Sequence, residues 1–370
     1  MKSILFLITN LAHGGAERVL VNLANNLDRS RYDVTVMTLF DSGINKKYLA
    51  EHIHYKYVFP KTFHGIKYIT KLLPRSVLYR FFIKERYDYE VAYLEGPPAK
   101  IISGCPYGET KKAAWIHIEI DTDHGFTEGF LNHADAVDSY SRFDRIVCVS
   151  ETVKEQFEKI SGIYENLTVK YNTNETDKIR QLATENCNDI NYGDGIPTLC
   201  SVAKIEYTKG YDRLLSAHKK LIDEGYPHRV YVIGIGSEKH NLEEKAAELG
   251  VRDSFQFIGF RENPYQYVAN CDLYVCSSRR EGFSTAVTEA LIVGTPVVST
   301  ECSGARELLG DHDEYGIVVE NSGEGVYQGM KRMLSNPALL EHYKEQAKLR
   351  GGFFSKERTV RAVEEMLDSL

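Results

Sequence analysis

The apolar and polar positions along the chain alternate between two periodicities. Short, continuous apolar runs such as SILFLIT and YDVTVMTLF are typical of strands that are buried on both faces of a sheet. The intervening stretch AERVLVNLANNL spaces its apolar residues three and four apart, which indicates an amphipathic helix. Strands that alternate with such helices predict parallel sheets covered on both sides.

This alternation of strands and helices occurs in two series. The first ends after the strand RIVCVS and the helix TVKEQFEKI, and the second begins near Pro197 with TLCSVA. The polar, turn-forming stretch YNTNETDKI separates them. A chain of 370 residues is too long for one ordinary core. We therefore predict two doubly wound α/β domains at 1–172 and 195–354, joined by a linker at 173–194.

The last helical pattern, KERTVRAVEEMLDSL, lies beyond the second series. It follows Gly351-Gly352, which predicts a break in helical structure before it. We expect this helix, at 355–370, to pack back on the first domain.

Composition and charge exclude several classes of function. With 43% hydrophobic and 26% charged residues, the chain is typical of a globular protein in water. Its net charge of -7 argues against nucleic acid as the main partner. The seven cysteines form no CxxC pair, so we expect neither a disulfide framework nor a metal site, and a reducing cytoplasm fits best. No apolar run approaches the roughly 20 residues that span a bilayer.

Polar residues follow many of the predicted strands, where ligands of doubly wound folds bind. Because these residues come from both domains, we expect a site in the cleft between them. Those in the first domain are His13, Gly14, Gly15, Glu95 and His117; those in the second are Lys204, Lys209, Gly234, Gly236, Arg261 and the turn 281–285.

The glycine pair at Gly14 and Gly15 lies where a strand turns into a helix. Glycines let a backbone approach a ligand closely, and a helix N-terminus favours an anion. The dinucleotide fingerprint GxGxxG is absent, and no acidic residue closes the second strand, so we predict no NAD site. A tight turn without a ligand is the alternative.

Two lysines, Lys204 and Lys209, follow the strand TLCSVA and precede a helix. If the loop between them brings both ammonium groups to one point, a diphosphate would neutralise their repulsion and would depart more easily. The alternative is a pair of solvated surface lysines.

Two carboxylates, Glu281 and Glu289, lie eight residues apart around a predicted helix start. Ser284 or Thr285 can cap a helix over 286–293, with Glu281 before the cap and Glu289 inside it. Glu289 suits a ribose diol, Glu281 suits sugar hydroxyls, and the N–H groups at the cap suit phosphate. Alternatively, Glu281 interacts only with the helix dipole and Glu289 is merely exposed.

These segments resemble the retaining glycosyltransferases of family four. The resemblance is carried by the E-x7-E arrangement within EGFSTAVTEALIVGTPVV, and by KIEYTKGYDRLL, GFRENPYQYVANCDLYVCSSRREGF, SGARELL and LAHGGAERVLVNLANNL. It implies the GT-B fold, in which two Rossmann-like, doubly wound parallel-sheet domains face a central cleft. It also implies a retaining enzyme that needs no metal or cofactor besides its nucleotide-sugar donor.

The resemblance assigns roles to individual positions. It implies that Glu281, His117 and Lys209 act on the transferred sugar and the departing diphosphate. His117 would hydrogen-bond a donor hydroxyl or phosphate, whereas without the resemblance a structural histidine is the alternative. The implied donor-binding residues are Gly15, Lys204, Lys209, Gly234, Phe260, Arg261, Gly282, Phe283, Ser284, Thr285 and Glu289.

A basic, aromatic segment extends from Lys61 to Arg86. It contains seven Lys and Arg against one Glu, in a chain whose net charge is negative. Such a segment can lie on an anionic bilayer, and Pro74 predicts that it forms two short helices. The alternative is a core helix with a solvated basic face. The residues assigned to membrane or acceptor contact are Lys67, Lys71, Arg75 and Arg80.

The sequence thus predicts transfer of a hexose or N-acetylhexosamine from a nucleotide sugar, UDP-linked by family frequency, to a lipid-linked saccharide. The resemblance implies a role in surface-polysaccharide or glycolipid synthesis, at the cytoplasmic face of the cell membrane. A small soluble acceptor, a sugar-nucleotide epimerase on the same fold and a non-catalytic nucleotide-sugar-binding subunit are the alternatives. The presence of both glutamates and both lysines disfavours the last of these.

Overall fold

The computed structural model describes residues 1–12, 14–63 and 65–370, so that His13 lies outside the described residues. The chain divides into two compact units, which are Met1–Asn174 with Lys356–Leu370, and Glu175–Ser355. Each unit holds one parallel sheet with helices connecting its strands. The predicted pair of doubly wound α/β domains is confirmed.

The sheet of the first unit has the strand order β3-β2-β1-β4-β5-β6-β7. Its strands are β1 (Lys2–Ile8), β2 (Tyr32–Phe40), β3 (His54–Phe59), β4 (Tyr89–Ala92), β5 (Lys111–Ile116), β6 (Arg145–Cys148) and β7 (Leu167–Val169). The central strands are buried on both faces because helices cover both. The edge strand β3 is half-exposed, and its mixed pattern HYKYVF does not stand out as a buried strand in the sequence.

The helices of the first unit follow the strands closely. They are α1 (Gly15–Asn26), α2 (Ile66–Leu72), α3 (Arg75–Phe82), α4 (Pro97–Ile102), α5 (Asp123–Phe126), α6 (His133–Tyr140) and α7 (Glu151–Ser161), with a 3-10 turn at Ile44–Tyr48. Pro74 separates α2 from α3 as predicted, because proline lacks the N–H that a continuous helix needs.

The sheet of the second unit has the order β10-β9-β8-β11-β12-β13. Its strands are β8 (Thr198–Val202), β9 (Arg229–Ile233), β10 (Phe255–Gly259), β11 (Leu273–Cys276), β12 (Val297–Thr300) and β13 (Ile317–Val319). The helices are α8 (Thr176–Ala183), α9 (Tyr211–Asp223), α10 (Lys239–Glu248), α11 (Tyr265–Asn270), α12 (Thr285–Val293), α13 (Ala305–Leu309), α14 (Gly323–Leu334) and α15 (Pro337–Phe353), with a 3-10 turn at Tyr207–Lys209.

The strand order reverses once in each sheet. In the first unit the reversal lies between β1 and β4, and in the second between β8 and β11. Crossover connections leave in opposite directions at these points, which opens a crevice beyond the carboxyl ends of the two strands. The loops after β8 and β11 are therefore where a ligand of the second unit is expected.

The stretch predicted as a linker, 173–194, is mostly part of the second unit, whose boundary falls between Asn174 and Glu175. Its helix α8 packs on α11 and α12, and Asn263 donates a hydrogen bond to the carbonyl of Leu182 at 2.8 Å. The polar composition that suggested a linker is not a sign of exposure here, because Asn172, Thr173, Asn174 and Thr176 are buried together with Ile179.

The last helix, α16 (Lys356–Asp368), belongs to the first unit. Its Glu364 accepts a hydrogen bond from the backbone N–H of Asp28 at 2.8 Å, and Asp368 accepts one from the Tyr32 hydroxyl at 3.1 Å. These contacts join the end of the chain to its first 32 residues.

The predicted break at Gly351-Gly352 is wrong, because α15 continues through both glycines to Phe353. A Cβ atom on Gly351 would lie 2.3 Å from the carbonyl oxygen of Leu291. Glycine is therefore required at this position for the close approach of α15 to α12, and not for a turn.

Candidate functional site

The loops that carry Lys209 and Glu281 follow β8 and β11, the two strands at the switch point of the second sheet. Lys209 ends the 3-10 turn Tyr207–Lys209, and Glu281 lies in the loop before α12. Because the carboxyl ends of adjacent parallel strands open at one sheet edge, residues far apart in sequence meet here.

An ion pair joins these two residues. The ammonium nitrogen of Lys209 lies 2.8 and 2.9 Å from the two carboxylate oxygens of Glu281. Ser278 donates a further hydrogen bond to Glu281 at 2.7 Å. The side chains of Lys209 and Glu281 are 24% and 13% exposed, so the pair is largely shielded from water but still reachable. The pairing was not predicted, since Lys209 was expected to face a second lysine.

The electrostatics of the pair favour a charged lysine. Burial is the largest single effect and would lower the pKa of Lys209, but the charge and hydrogen bond of Glu281, together with Cys276 and Cys302, outweigh it, and the net pKa is raised. Lys209 therefore stays cationic throughout the neutral range. The ammonium group of Lys209 is already partly desolvated, so an anion that binds it meets a positive charge that little water screens.

The helix that follows Glu281 begins as the sequence predicts. Ser284 is the N-cap residue of α12, and its hydroxyl oxygen accepts from the N–H of Val287 at 3.4 Å. The first N–H groups of a helix have no partner within it, and the helix dipole makes this end positive. Phe283 is buried with its ring 5.7 Å from that of Phe354, so its side chain anchors the loop and only its backbone can serve a ligand.

A second ion pair supports the loop of Lys209. The guanidinium of Arg279 donates two hydrogen bonds to Asp212, at 2.8 and 2.7 Å, and one to the carbonyl of Tyr207 at 2.7 Å. It also lies 3.9 Å from the centre of the Tyr207 ring. Sequence reasoning missed this group. The only available signal was the arginine pair directly before Glu281, which by itself indicates a solvated surface.

Glycine allows the two loops to approach. Gly210 has a φ of +67°, and a Cβ atom there would lie 2.0 Å from the carbonyl oxygen of Ser277. Ser277 in turn donates a hydrogen bond to the carbonyl of Lys209 at 2.9 Å. Any other residue at this position would push the β8 and β11 loops apart and separate Lys209 from Glu281.

Glu289 lies one turn inside α12, as predicted, and it has a protein partner. The hydroxyl of Tyr265, at the start of α11, donates to its carboxylate at 3.0 Å. This contact between α11 and α12 was not anticipated from the sequence. It shows that Glu289 is directed toward α11 rather than lying along its own helix.

The other predicted donor-binding residues of the second unit occupy neighbouring strand ends. Lys204 is exposed after β8, unlike the shielded Lys209. Gly234 follows β9, where a Cβ atom would lie 1.9 Å from the carbonyl oxygen of Ala203. After β10, Phe260 is 47% exposed, and Arg261 donates to the hydroxyl of Tyr267 at 2.9 Å.

Asp189 holds Arg261 in place. The guanidinium of Arg261 donates to its carboxylate at 2.9 Å, and the hydroxyl of Tyr267 donates to the same carboxylate at 3.0 Å. Asp189 lies in the stretch predicted as a linker. Its role went unrecognised because nothing local in the sequence relates it to a strand end 70 residues later.

In the first unit, His117 directly follows β5 and is only 8% exposed. Its ring centre lies 4.8 Å from that of Tyr93. Burial lowers the pKa of His117 to about 3, so the ring is neutral at neutral pH. Its Nε2 atom has no hydrogen-bond partner within the described residues. A buried polar atom without a partner is costly, which favours a role for this ring in binding a ligand.

Glu95, which follows β4, holds the backbone beside His117. The carboxylate accepts from the N–H of His117 and from that of Ile118, the latter at 3.0 Å. Burial raises the pKa of Glu95 to about 7. The sequence places Glu95 at a strand end but does not relate it to His117. Gly15, also predicted here, is exposed at the first position of α1.

The structure divides the basic segment 61–86 into a buried and an exposed face. Ile66, Leu78, Tyr79 and Phe82 pack into the first unit. The exposed face carries large apolar side chains together with basic ones. Its most exposed apolar residues are Leu72 (76%), Tyr68 (63%) and Phe81 (58%).

Two of the four basic residues predicted for membrane contact have acidic neighbours. Arg75 forms an ion pair with Asp138, and Lys67 lies 3.7 Å from Glu128. Lys71 and Arg80 lie on the exposed face. Among the described residues, no helix is both long and apolar enough to cross a membrane.

Comparison with known proteins identifies the class to which this fold and site belong. The chain matches the family model Glycosyltransferase Family 4 over residues 13–178 and the model Glycosyl transferases group 1 over residues 185–350. Together the two models cover most of each compact unit. The chain therefore belongs to the glycosyltransferases of family 4, which transfer a sugar to an acceptor.

Two curated relatives indicate how far the similarity extends. An N-acetylgalactosamine-N,N'-diacetylbacillosaminyl-diphospho-undecaprenol 4-alpha-N-acetylgalactosaminyltransferase of Campylobacter jejuni is 34% identical over 195 residues. That match spans 52% of this chain and only about half, 51%, of the relative. An uncharacterised glycosyltransferase of Haemophilus influenzae is 26% identical over 97% of this chain and 98% of its own length.

The fold is also similar to solved structures. HepE of Anabaena, in a crystal structure with UDP, matches with a TM-score of 0.78 over the full length of both chains. The identity is 20%, so this likeness establishes the fold alone. It confirms the predicted GT-B architecture of two Rossmann-like units.

Proposed function

We propose that this protein is a retaining glycosyltransferase that moves a hexose or N-acetylhexosamine from a UDP-linked donor to a lipid-linked saccharide. The observation that carries the proposal is the Lys209–Glu281 ion pair at the switch point of the second sheet. It combines a cation for a diphosphate with a carboxylate for sugar hydroxyls, in a chain of a glycosyltransferase family.

The transfer step breaks the bond between the anomeric carbon and the donor phosphate oxygen. The acceptor oxygen bonds to the same face of that carbon, and its proton passes to the departing phosphate. Lys209 and the positive end of α12 stabilise the negative charge that develops on the diphosphate. Glu281 orients the sugar through its hydroxyls as positive charge develops on the ring. In this proposal these groups supply the charge stabilisation without a metal or cofactor.

The remaining predicted residues have roles in binding. Glu289 accepts hydrogen bonds from the ribose hydroxyls, and the segment of Phe260 and Arg261 contacts the base. Lys204 adds positive charge for the diphosphate. The neutral ring of His117 hydrogen-bonds a donor hydroxyl or phosphate through its buried Nε2 atom, with Glu95 fixing the backbone on which the ring stands.

The test is an assay of the purified protein with a panel of UDP- and GDP-sugars and a bacterial undecaprenyl-diphosphate saccharide. We expect nucleotide release that depends on the acceptor, and a product whose anomeric configuration, read by NMR, matches the donor. Conversion of the donor to its epimer without acceptor would identify an epimerase. Tight nucleotide-sugar binding without turnover in any combination would identify a binding subunit.

The lipid-linked acceptor is supported by two observations. The Campylobacter jejuni relative is named for a saccharide on diphospho-undecaprenol. The exposed face of α2 and α3 combines large apolar side chains with Lys71 and Arg80. The apolar side chains of this face would enter the headgroup region, and its cations would contact anionic lipid. Together these contacts would dock the first unit on the inner face of the membrane. A lipid-linked acceptor would be met there during surface-polysaccharide or glycolipid synthesis.

Reversal of charge on this face is expected to release the protein from anionic vesicles. The double variant Lys71→Glu with Arg80→Glu should bind phosphatidylglycerol-containing vesicles at least about tenfold more weakly, because each cation near such a surface contributes on the order of 1 kcal/mol. The measurement is co-sedimentation with and without phosphatidylglycerol. Reversal of Lys245 and Arg252, exposed on the second unit, is the matched control. Wild-type binding by the first variant, or no vesicle binding by the wild type, would favour a soluble acceptor.

A further inference from the structure

Tyr265 contacts Glu289, yet the proposed function assigns no role to Tyr265. Its hydroxyl donates a hydrogen bond to Glu289 at 3.0 Å and joins α11 to α12. Hydrogen bonds to a carboxylate are stronger than those between neutral groups. They also restrict a glutamate side chain that would otherwise sample many rotamers.

The position of Tyr265 is itself fixed from several sides. Its backbone N–H donates to the side chain of Asn263 at 3.1 Å, and Asn263 donates to the carbonyl of Leu182 at 2.8 Å. At the other end of α11, the hydroxyl of Thr295 donates to the carbonyl of Val268 at 2.8 Å. The helix is therefore tied to the end of α8 and to the turn that follows α12. The phenol of Tyr265 is half-buried on this support.

We infer that Tyr265 is a positioning residue for nucleotide recognition: it holds the Glu289 carboxylate in the orientation that accepts hydrogen bonds from a ribose diol. The inference rests on the proposed function, which assigns Glu289 to the ribose. An ionised carboxylate has about four lone-pair positions, so the hydrogen bond from Tyr265 does not by itself exhaust its acceptor capacity. Tyr265 acts through Glu289 and need not touch the nucleotide.

Glu289 is proposed to accept hydrogen bonds both from Tyr265 and from the ribose diol. These two contacts predict a selectivity between nucleotides with and without a ribose 2′-hydroxyl. A site built to bond a hydroxyl discriminates strongly against an analogue that lacks it. The wild-type protein should therefore bind UDP more tightly than 2′-deoxy-UDP, by about tenfold or more. If Tyr265 fixes the carboxylate, its loss should weaken UDP binding more than 2′-deoxy-UDP binding, so that the preference for the ribonucleotide shrinks.

The test uses Tyr265→Phe, which removes the hydroxyl and keeps the ring. We expect the dissociation constant for UDP, measured by calorimetry, to rise roughly five- to twentyfold, while that for 2′-deoxy-UDP changes less. In a Glu289→Ala background the same substitution should have no effect on either nucleotide, because the residue through which Tyr265 acts is gone. Tyr343→Phe is the control, since it removes a buried hydroxyl that donates to the carbonyl of Asp313 at 2.8 Å.

Each other outcome has a distinct meaning. Unchanged or tighter UDP binding by Tyr265→Phe, or an equal effect with and without Glu289, would overturn the positioning role. A loss of thermal stability without a change in the UDP to 2′-deoxy-UDP ratio would assign Tyr265 to the fold alone, which also overturns it. If the wild type binds neither UDP nor GDP, the proposed donor site fails instead. If it binds UDP but does not discriminate against the deoxynucleotide, the ribose role of Glu289 fails, and the positioning role of Tyr265 fails with it.

Discussion

Replacement of Lys209 by alanine is expected to lower kcat by about 100- to 1000-fold, the range seen when one preorganised group that stabilises a developing anion is removed. Lys209 is 24% exposed and lies 2.8 Å from Glu281, so its charge acts in a partly desolvated setting where electrostatic effects are large. We also expect the dissociation constant for UDP to rise by about ten- to a hundredfold, as for loss of one charged hydrogen bond.

Two further variants test whether the positive charge of Lys209, and not the loss of any lysine in an ion pair, causes the fall in activity. Lys209→Gln can still donate a hydrogen bond to Glu281 but lacks the charge, so it should lose activity nearly as fully as the alanine variant. Lys331→Ala removes a lysine of similar ion-pair geometry, 2.8 Å from Glu224, and should keep full activity. Wild-type UDP affinity and turnover in Lys209→Ala would remove this lysine from the donor site. The readouts are steady-state kinetics and calorimetry.

Replacement of Glu281 by glutamine is expected to lower kcat by about 100-fold or more while nucleotide binding is kept. The Glu281 carboxylate and the donor diphosphate are both anionic and both suited to Lys209. Removal of the negative charge of Glu281 therefore frees the lysine for the diphosphate, and the affinity for UDP should stay level or improve. The loss appears in turnover because the carboxylate no longer orients the sugar.

The opposite responses of binding and turnover make this second prediction specific. Glu224→Gln, which neutralises the carboxylate of the Lys331 ion pair, is the matched control and should change neither. A parallel fall in UDP affinity and kcat would mean that Glu281 supports the loop of Lys209 rather than the sugar. Undiminished turnover in Glu281→Gln would disprove its assignment altogether. Circular dichroism and thermal unfolding show whether each variant keeps its fold.

Comparison of the predicted and observed sites shows which site residues can be placed from the sequence and which cannot. The cap at Ser284 and the position of Glu289 one turn inside α12 follow from local rules, and the structure places both residues there. The relation between Lys204 and Lys209 was not predictable in the same way. Both are predicted to converge on one anion; the structure adds that Lys204 is exposed whereas Lys209 pairs with Glu281. Which lysine is shielded depends on the turn at Gly210 and on its contact with Ser277.

Glycine and proline illustrate the same limit in the fold. Pro74 separates two helices as predicted, since the missing N–H acts within its own segment. Gly351-Gly352 was predicted to break a helix, yet α15 continues through it. Glycine does lower the stability of a helix, but the close approach of the Leu291 backbone to Gly351 requires a residue without a side chain. Packing against a distant helix therefore outweighs propensity at this position.

The sequence by itself determined the two alternating series of strands and helices, the start of α12 and the set of polar residues at strand ends. These follow from periodicity, capping and chain direction, which act over a few residues. Only the tertiary structure decided that Lys209 pairs with Glu281, that Tyr265 contacts Glu289 and which residues of the first unit α16 contacts. Each of these contacts joins residues separated by between 24 and more than 300 positions, so it depends on how the strands and helices pack within each unit. This packing is a property of the folded unit, and no local pattern in the chain encodes it.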